Sequence, residues 1–375
     1  MSHWNIYYTP EHSRHNPRIH SICGRQDAVE ASDRGHPECA SRIPPILRAI
    51  ETTLGEEKFR MHFSTRQATI DELSQCHTRE MIEFFSHCWE RAQELHEDLE
   101  EVVPGTFPNY VKYEKPHFPT KDVLTQAGIF CVDTCTPVGE FSIECAKQAA
   151  AAAIDGARAM ELDPSARCFV LTRPPGHHSC RGTNGGFCYL NSVSIATCEL
   201  LTKLKKRNSV KLGAGKPRVA IVDLDYHHGN GTQDIFYESS EVAYFSIHAH
   251  PDFEFPHFSG MESERGFGDG EGYNFNFPQP EHASYDTHYR STLDRIIEII
   301  QSDGINPEMV VVSLGLDGLE GDTVGQYSLQ PEDFGSMAKQ LKGLGLPVFA
   351  ILEGGYNKEK DRMGKATVSF LQNYL

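Results

Sequence analysis

Four short apolar runs, "RCFVLT", "RVAIVDLD", "MVVVSLG" and "PVFAIL", each give way to polar or ionisable residues, and this pattern narrows the possible architectures more than any other feature of the chain. Runs that are apolar at nearly every position, rather than every second one, fit strands buried on both faces, as in a parallel sheet. A fifth candidate, "EVAYFSI", lies among them. Helices are predicted over roughly Ser142 to Glu161, on its alanine-rich "AAAAAID", and near residues 190 to 206, 286 to 302 and 331 to 342. Strands alternating with helices predict an α/β chain with one three-layer αβα arrangement around a central parallel sheet. In such sheets ligands bind beyond the carboxyl ends of the strands. The five exits carry "RPPGHHSC", then Asp223, Asp225 and His227, then "HAHPDF", then Asp317, then "EGGYN".

Two connections exceed ordinary loop length, residues 100–122 and the Gly- and Phe-rich stretch 250–280, and loops of that size commonly wall or cover an active site. A length of 375 residues would accommodate two domains with a boundary near residue 125. The reading preferred is one domain over 1–375 with an insertion at about 100–122. A formal net charge of −17 excludes general nucleic-acid binding, which needs a basic face, and favours cationic partners. No stretch reaches the roughly 20 apolar residues of a membrane helix, and "MSHWNIYYTPEHSRHNP" has no apolar core of a signal peptide, so a cytoplasmic protein without membrane contact is expected. The 11 cysteines form no C-x-x-C pair and read as reduced thiols, "CVDTC" (Cys131, Cys135) being the tightest spacing.

In "VDLDYHHGNG", Asp225 and His227 stand two apart, so in extended backbone they project to the same side and can grip one ion. A catalytic zinc takes three protein ligands, and Asp317 at a neighbouring strand exit is the best remaining donor; by ligand type iron(II) and manganese stay open. Read singly, each is an ordinary turn residue, and the clustering argues otherwise. His177 and His178 in "PPGHH" supply imidazole for proton transfer, with Asp223 and Asn230 as candidates to fix a histidine tautomer. Two glycines before Tyr356 allow a close backbone approach that aims its phenol at an oxyanion, although a lone GGY is more often packing.

"RPPGHH", "GGFCYLNSVSIA", "VDLDYHHGNGTQDIFY", "SLGLDG" and "LEGGYN", in this order over about residues 125 to 357, with an N-terminal echo in "HPECASR", resemble the zinc-dependent deacetylases of the arginase/deacetylase superfamily. "FPHFSG" and "GFGDGEGYNFNFP" are similar to the acetylpolyamine amidohydrolases among them. The resemblance implies Asp225, His227 and Asp317 as zinc ligands, His178 as general base and then acid, and His177 as its electrostatic partner supported by Asp223. Asn230 pairs with His178 where some relatives have Asp, and Tyr356 polarises the carbonyl. It implies Gly186, Phe187 and Phe255 around a narrow acyl-amine tunnel. It also implies a structural potassium held by backbone oxygens of Asp223, Asp225, His227 and Ile247 and by the side chains of Asp223 and Ser246.

The implied reaction is hydrolysis of an acetylated polyamine or, alternatively, of acetyl-lysine in a protein. Glu320, Asp322, Glu114 and Glu254 are candidate rim carboxylates for a distant ammonium, whereas the gatekeeping position of a polyamine-selective relative falls on Val324. The long insertion suggests a homodimer that roofs the tunnel. Two other classes share parts of this pattern. A manganese hydrolase of the arginase or formamidase kind would need a second carboxylate-rich metal position where this chain has "GHHSC", and a non-catalytic acyl-amine binder would not need His177, His178 and Tyr356 together.

Overall fold

Among the described residues eight strands form one sheet, all parallel, in the order β2-β1-β3-β8-β7-β4-β5-β6. They are β1 (Trp4–Tyr8), β2 (Phe59–Phe63), β3 (Arg167–Leu171), β4 (Val219–Asp223), β5 (Val242–Ala249), β6 (Asn274–Gln279), β7 (Met309–Leu314) and β8 (Val348–Leu352). The computed structural model describes residues 3–18, 35–95, 99–107, 121–160, 165–207, 217–302, 304–305 and 307–375.

Successive side chains of a strand leave on opposite faces, and here both faces are apolar. Along β7, Val310, Val312 and Leu314 enter one core while Met309 and Val311 enter the other. The first core is closed by the helices Ile43–Ala49, Arg290–Ile300, Pro331–Lys342 and Lys360–Tyr374. The second is closed by Arg79–Leu95, Ser142–Ala159 and Ser192–Arg207. The continuous apolar runs are therefore explained by burial on two sides, each fully buried aliphatic side chain contributing about 1.5–3 kcal/mol.

All five expected strands are present. The sheet is wider than the sequence reading because β1, β2 and β6 are added at its edges, and the 250–280 connection is not all loop, since it ends in β6. β1 and β2 precede residue 125 and pair onto β3 in the same sheet. Residues 108–120, most of the expected insertion and including Glu114, lie outside the described residues. The ten described cysteines are free thiols, and among the described residues no helix is long and apolar enough to cross a membrane.

Candidate active site

Strands β3, β8, β7 and β4 are neighbours at the middle of the sheet, and their carboxyl ends bring four chain segments together. Asp225 and His227 follow β4, Asp317 follows β7, and one ligand atom from each lies within 4.8 Å of the others. Backbone groups hold both carboxylates in place. Asp225 accepts from His227 N (2.9 Å) and Gly354 N (2.9 Å), and Asp317 accepts from Tyr226 N (2.8 Å). His227 Nδ1 sits 3.1 Å from Asp317 Oδ2.

Asp225 and Asp317 are both 0% exposed. Burial and the Asp225 charge push Asp317 up to about 6. Two buried carboxylates facing one imidazole call for a cation, and two oxygens with one nitrogen suit a first-row divalent metal with an open position. The set fits the expected site. Gly354 makes it possible: a Cβ there would lie 2.3 Å from Asp317 Oδ2 and 2.7 Å from Asp225 Oδ2. Gly354→Ala is therefore expected to weaken binding of a divalent metal at this triad roughly tenfold or more with the fold retained, as read by competition with a chelating dye.

The two histidines after β3 occupy opposite electrostatic environments. His177 Nδ1 donates to Asp223 Oδ2 (3.1 Å), and its Nε2 is 3.6 Å from Asp225 Oδ1. Burial works against its protonation, but the charges of Asp225 and Asp223 outweigh burial and push it up to about 10. Asp223 is itself fixed by the Tyr244 hydroxyl at 2.9 Å. His178, held well below the ordinary histidine range by burial and by the nearby His177 and His227, pairs through Nδ1 with Asn230 Oδ1 at 2.8 Å. The Asn230 amide nitrogen donates to Cys180 Sγ (3.4 Å) and His178 O (3.5 Å), which leaves the amide oxygen as acceptor. His178 thus carries its proton on Nδ1 and keeps a lone pair on Nε2.

Tyr356 follows β8 and is 6% exposed. Asp322 Oδ2 accepts its backbone N–H at 2.6 Å, and the Arg42 guanidinium lies 4.5 Å from its ring centroid. Burial keeps the phenol well above its usual range, so it remains a donor. Phe187 meets Tyr356 edge-on at 5.5 Å, and Phe255 meets His178 at 4.9 Å, so both expected tunnel aromatics border the reactive groups. Gly186 (φ 56°) and Phe187 (φ 67°) form a left-handed turn pinned by Asp133 and Thr136. A Cβ on Gly186 would meet His178 Cδ2 at 2.4 Å.

Asp223 and Ser246 are register partners on β4 and β5. Ser246 Oγ contacts His248 Nδ1 at 2.8 Å, and the Ile247 carbonyl accepts from the Tyr289 hydroxyl at 3.3 Å.

Two expected rim carboxylates are corrected. Asp322 turns inward to cap the Tyr356 loop, and Glu254 is buried, accepting from the Tyr226 hydroxyl (2.9 Å) and Phe255 N (3.1 Å). Glu320 is exposed.

The site also contains groups that the sequence reading passed over. Glu353, inside "LEGGYN", accepts from Gly176 N (2.6 Å) and His177 N (3.2 Å) and so sets the histidine turn. Arg42, inside "HPECASR", donates to Gly355 O and Glu353 O at 2.6 Å each and to Glu38 at 2.9 Å. Glu38 also receives Arg173, the first residue of "RPPGHH". Those motifs were the only signal available, since apart from the Arg42–Glu38 pair these contacts span more than a hundred residues.

The family model for the histone deacetylase domain matches residues 36–372, nearly the whole chain. This chain belongs to the histone deacetylase family. Within that family it is 32% identical over 353 residues to acetylpolyamine amidohydrolase 1 of Pseudomonas aeruginosa, covering 94% of this chain and 95% of that one. It is 34% identical over 268 residues to the acetylpolyamine amidohydrolase of Mycoplana ramosa, covering 72% and 73%. The crystal structure of the acetylpolyamine aminohydrolase from Burkholderia pseudomallei superposes with a TM-score of 0.82 at 28% identity, covering 99% of this chain and 98% of that one. The expected arginase/deacetylase fold is therefore the fold observed, and the chain is an amidohydrolase-type deacetylase of this family.

Proposed function

We propose that the chain is a zinc-dependent amidohydrolase that removes acetyl groups from acetylated polyamines. The observation that carries this reading is a buried Asp225–His227–Asp317 triad flanked by two buried histidines, His177 paired with Asp223 and His178 with Asn230, with the Tyr356 phenol following the adjacent strand. Zinc bound by the triad supplies Lewis acidity to the amide carbonyl and to the attacking water.

The remaining work falls to the side chains. His178 Nε2 removes a proton from the attacking water and later returns it to the departing amine, while Asn230 holds Nδ1–H throughout. His177, whose Nδ1 is held by Asp223, turns its imidazole toward the developing negative charge as the electrostatic partner of His178. Tyr356 donates its hydroxyl to the oxyanion. Phe187, beside Tyr356, and Phe255, beside His178, are assigned as the aromatic walls of a slot for a methylene chain. This reading also assigns a structural potassium to the backbone oxygens of Asp223, Asp225, His227 and Ile247 and the side chains of Asp223 and Ser246, the last two being register partners on β4 and β5. The same reading takes residues 1–375 as one cytoplasmic deacetylase domain, with the segment at about 100–122 as the element that pairs two copies.

A net charge of −17 draws polycations toward the site, in keeping with the names of the relatives above. A second reading, deacetylation of acetyl-lysine in proteins, is favoured by one feature: the position at which the resemblance puts a gatekeeping carboxylate is here Val324, which is half-buried and carries no charge to read a distant ammonium. The test is a parallel kcat/KM comparison of acetylputrescine, acetylspermidine, acetylcadaverine and an acetylated histone-tail peptide. The acetylpolyamines are expected to lead by at least about tenfold, roughly the 1.4 kcal/mol of one charge contact; a lead by the peptide selects the second reading. Tyr356→Phe should lower kcat on the order of 10²-fold or more. A loss of less than about threefold at saturating substrate would remove the oxyanion role from this residue.

A further inference from the structure

Cys76 and Cys198 place their sulfurs 3.3 Å apart, although they lie 122 residues apart in sequence. Cys76 is buried in the turn before the Arg79–Leu95 helix, whereas Cys198, on the Ser192–Arg207 helix, is partly exposed. The adjacent residue, His77, is a strut of the active site. Its Nδ1 pairs with Cys180 O at 2.8 Å, and its Nε2 accepts from Asn191 N at 2.9 Å. Thr78 N donates to Arg181 O at 2.7 Å. The turn bearing Cys76 is thus bonded directly to the segment that follows His177 and His178.

We propose that Cys76 and Cys198 form an oxidisable pair, in which a hydroperoxide reacts at Cys198 and Cys76 resolves the product into a disulfide beside the His77 strut. In the first step the Cys198 sulfur attacks the peroxide O–O bond, giving a sulfenic acid and releasing water or an alcohol. In the second the Cys76 sulfur attacks that sulfur. The S–S bond forms, the S–O bond breaks, and the hydroxyl leaves as water with the Cys76 proton, so two thiols are oxidised by one peroxide.

Accessibility and electrostatics support this order of events. The hydrogen bond from Cys76 holds Cys198 below the usual thiol range, against the opposing effect of burial and with help from Arg181 and Lys205. Burial instead pushes Cys88 and Cys180 up to about 12 and Cys145 up to about 11, which keeps those thiols protonated. Cys39 is also held low, by Ser41 and Lys360 despite burial, and it serves as an internal control.

Closing the gap to an S–S bond of about 2.05 Å moves the sulfurs together by roughly 1.3 Å. Displacements of about 1 Å in the support of a reacting group can cost 10²-fold in rate, so oxidation is expected to lower kcat several-fold. This second part rests on the deacetylase reading; the disulfide itself does not.

The experiment treats the full chain with dilute hydrogen peroxide, alkylates the remaining thiols and maps peptides without reduction. A linked Cys76–Cys198 peptide is expected, reversed by dithiothreitol, absent in Cys198→Ser and replaced in Cys76→Ser by dimedone-labelled Cys198. Dimedone labelling of Cys39 with no linked peptide would overturn the proposal. So would over-oxidation of Cys198 in the parent chain. For the coupling, kcat on an acetylated amine should fall at least about threefold with KM nearly unchanged and recover on reduction, and Cys198→Ser should be active and insensitive. If no deacetylase activity is found, amide hydrogen exchange over residues 176–181 replaces kcat as the readout. A fully linked chain with unchanged kcat, or with unchanged exchange in that case, overturns the coupling.

Discussion

His178→Ala is expected to lower kcat on the order of 10³-fold, within the 10²- to 10⁴-fold range of a lost general acid–base group, while the chain still binds one zinc. The expectation follows from the tautomer. Asn230 offers an amide oxygen to Nδ1, so the proton resides there and Nε2 is the basic nitrogen. His177 is a poor substitute, because its Nδ1 is engaged by Asp223 at 3.1 Å and its Nε2 faces Asp225 at 3.6 Å. The measurement is steady-state kinetics paired with metal analysis of the same preparation. Activity within tenfold of the parent would move the base elsewhere, and loss of zinc would show that His178 supports the metal site instead.

Asp317→Asn should abolish turnover by removing a metal ligand, and it should also reverse the order of stability between parent and variant. In chelator the parent holds two buried carboxylates side by side, with Asp317 raised to about 6 by burial and by Asp225. A carboxyl group raised in the fold above its unfolded value weakens the folded state wherever it is ionised. The penalty is full above about pH 6, on the order of 3 kcal/mol, and fades as pH falls from there toward the unfolded value. Without metal at pH 7.5 the variant is therefore expected to melt a few degrees above the parent, and the gap should shrink by pH 5. With saturating zinc the parent gains the binding free energy and overtakes it. A variant that melts below the parent in chelator would mean that the carboxylate is stabilised by contacts other than a cation.

Much of this was readable in advance because the informative residues are local. The β3, β4, β7 and β8 segments announce themselves as apolar runs, and the spacing of Asp225 and His227 states a shared direction. The edge strands were less legible. β6 reads "NFNFPQ", and its asparagines look like loop residues; in the fold, Asn274 and Asn276 both donate to Gln233 Oε1, a partner about forty residues earlier. Glu353, Arg42 and Glu38 escaped for a related reason. Buried charges are meaningful only in pairs, and Arg42 meets the carbonyls of Glu353 and Gly355 at separations of 311 and 313 residues. Asp322 and Glu254 misled in the opposite sense, since a carboxylate near a mouth can as readily satisfy backbone N–H groups below it.

The strand order has a consequence for synthesis. β2, β1 and β3 form one block and β7, β4, β5 and β6 another, and β8, residues 348–352, is the strand that bridges them. His177 and His178 leave the first block, whereas Asp225, His227 and Asp317 leave the second. A nascent chain therefore carries two halves of its chemistry that no strand joins until residues 348–352 have been made. A product truncated before β8 should be inert rather than feeble, which shields the cell from partial hydrolases.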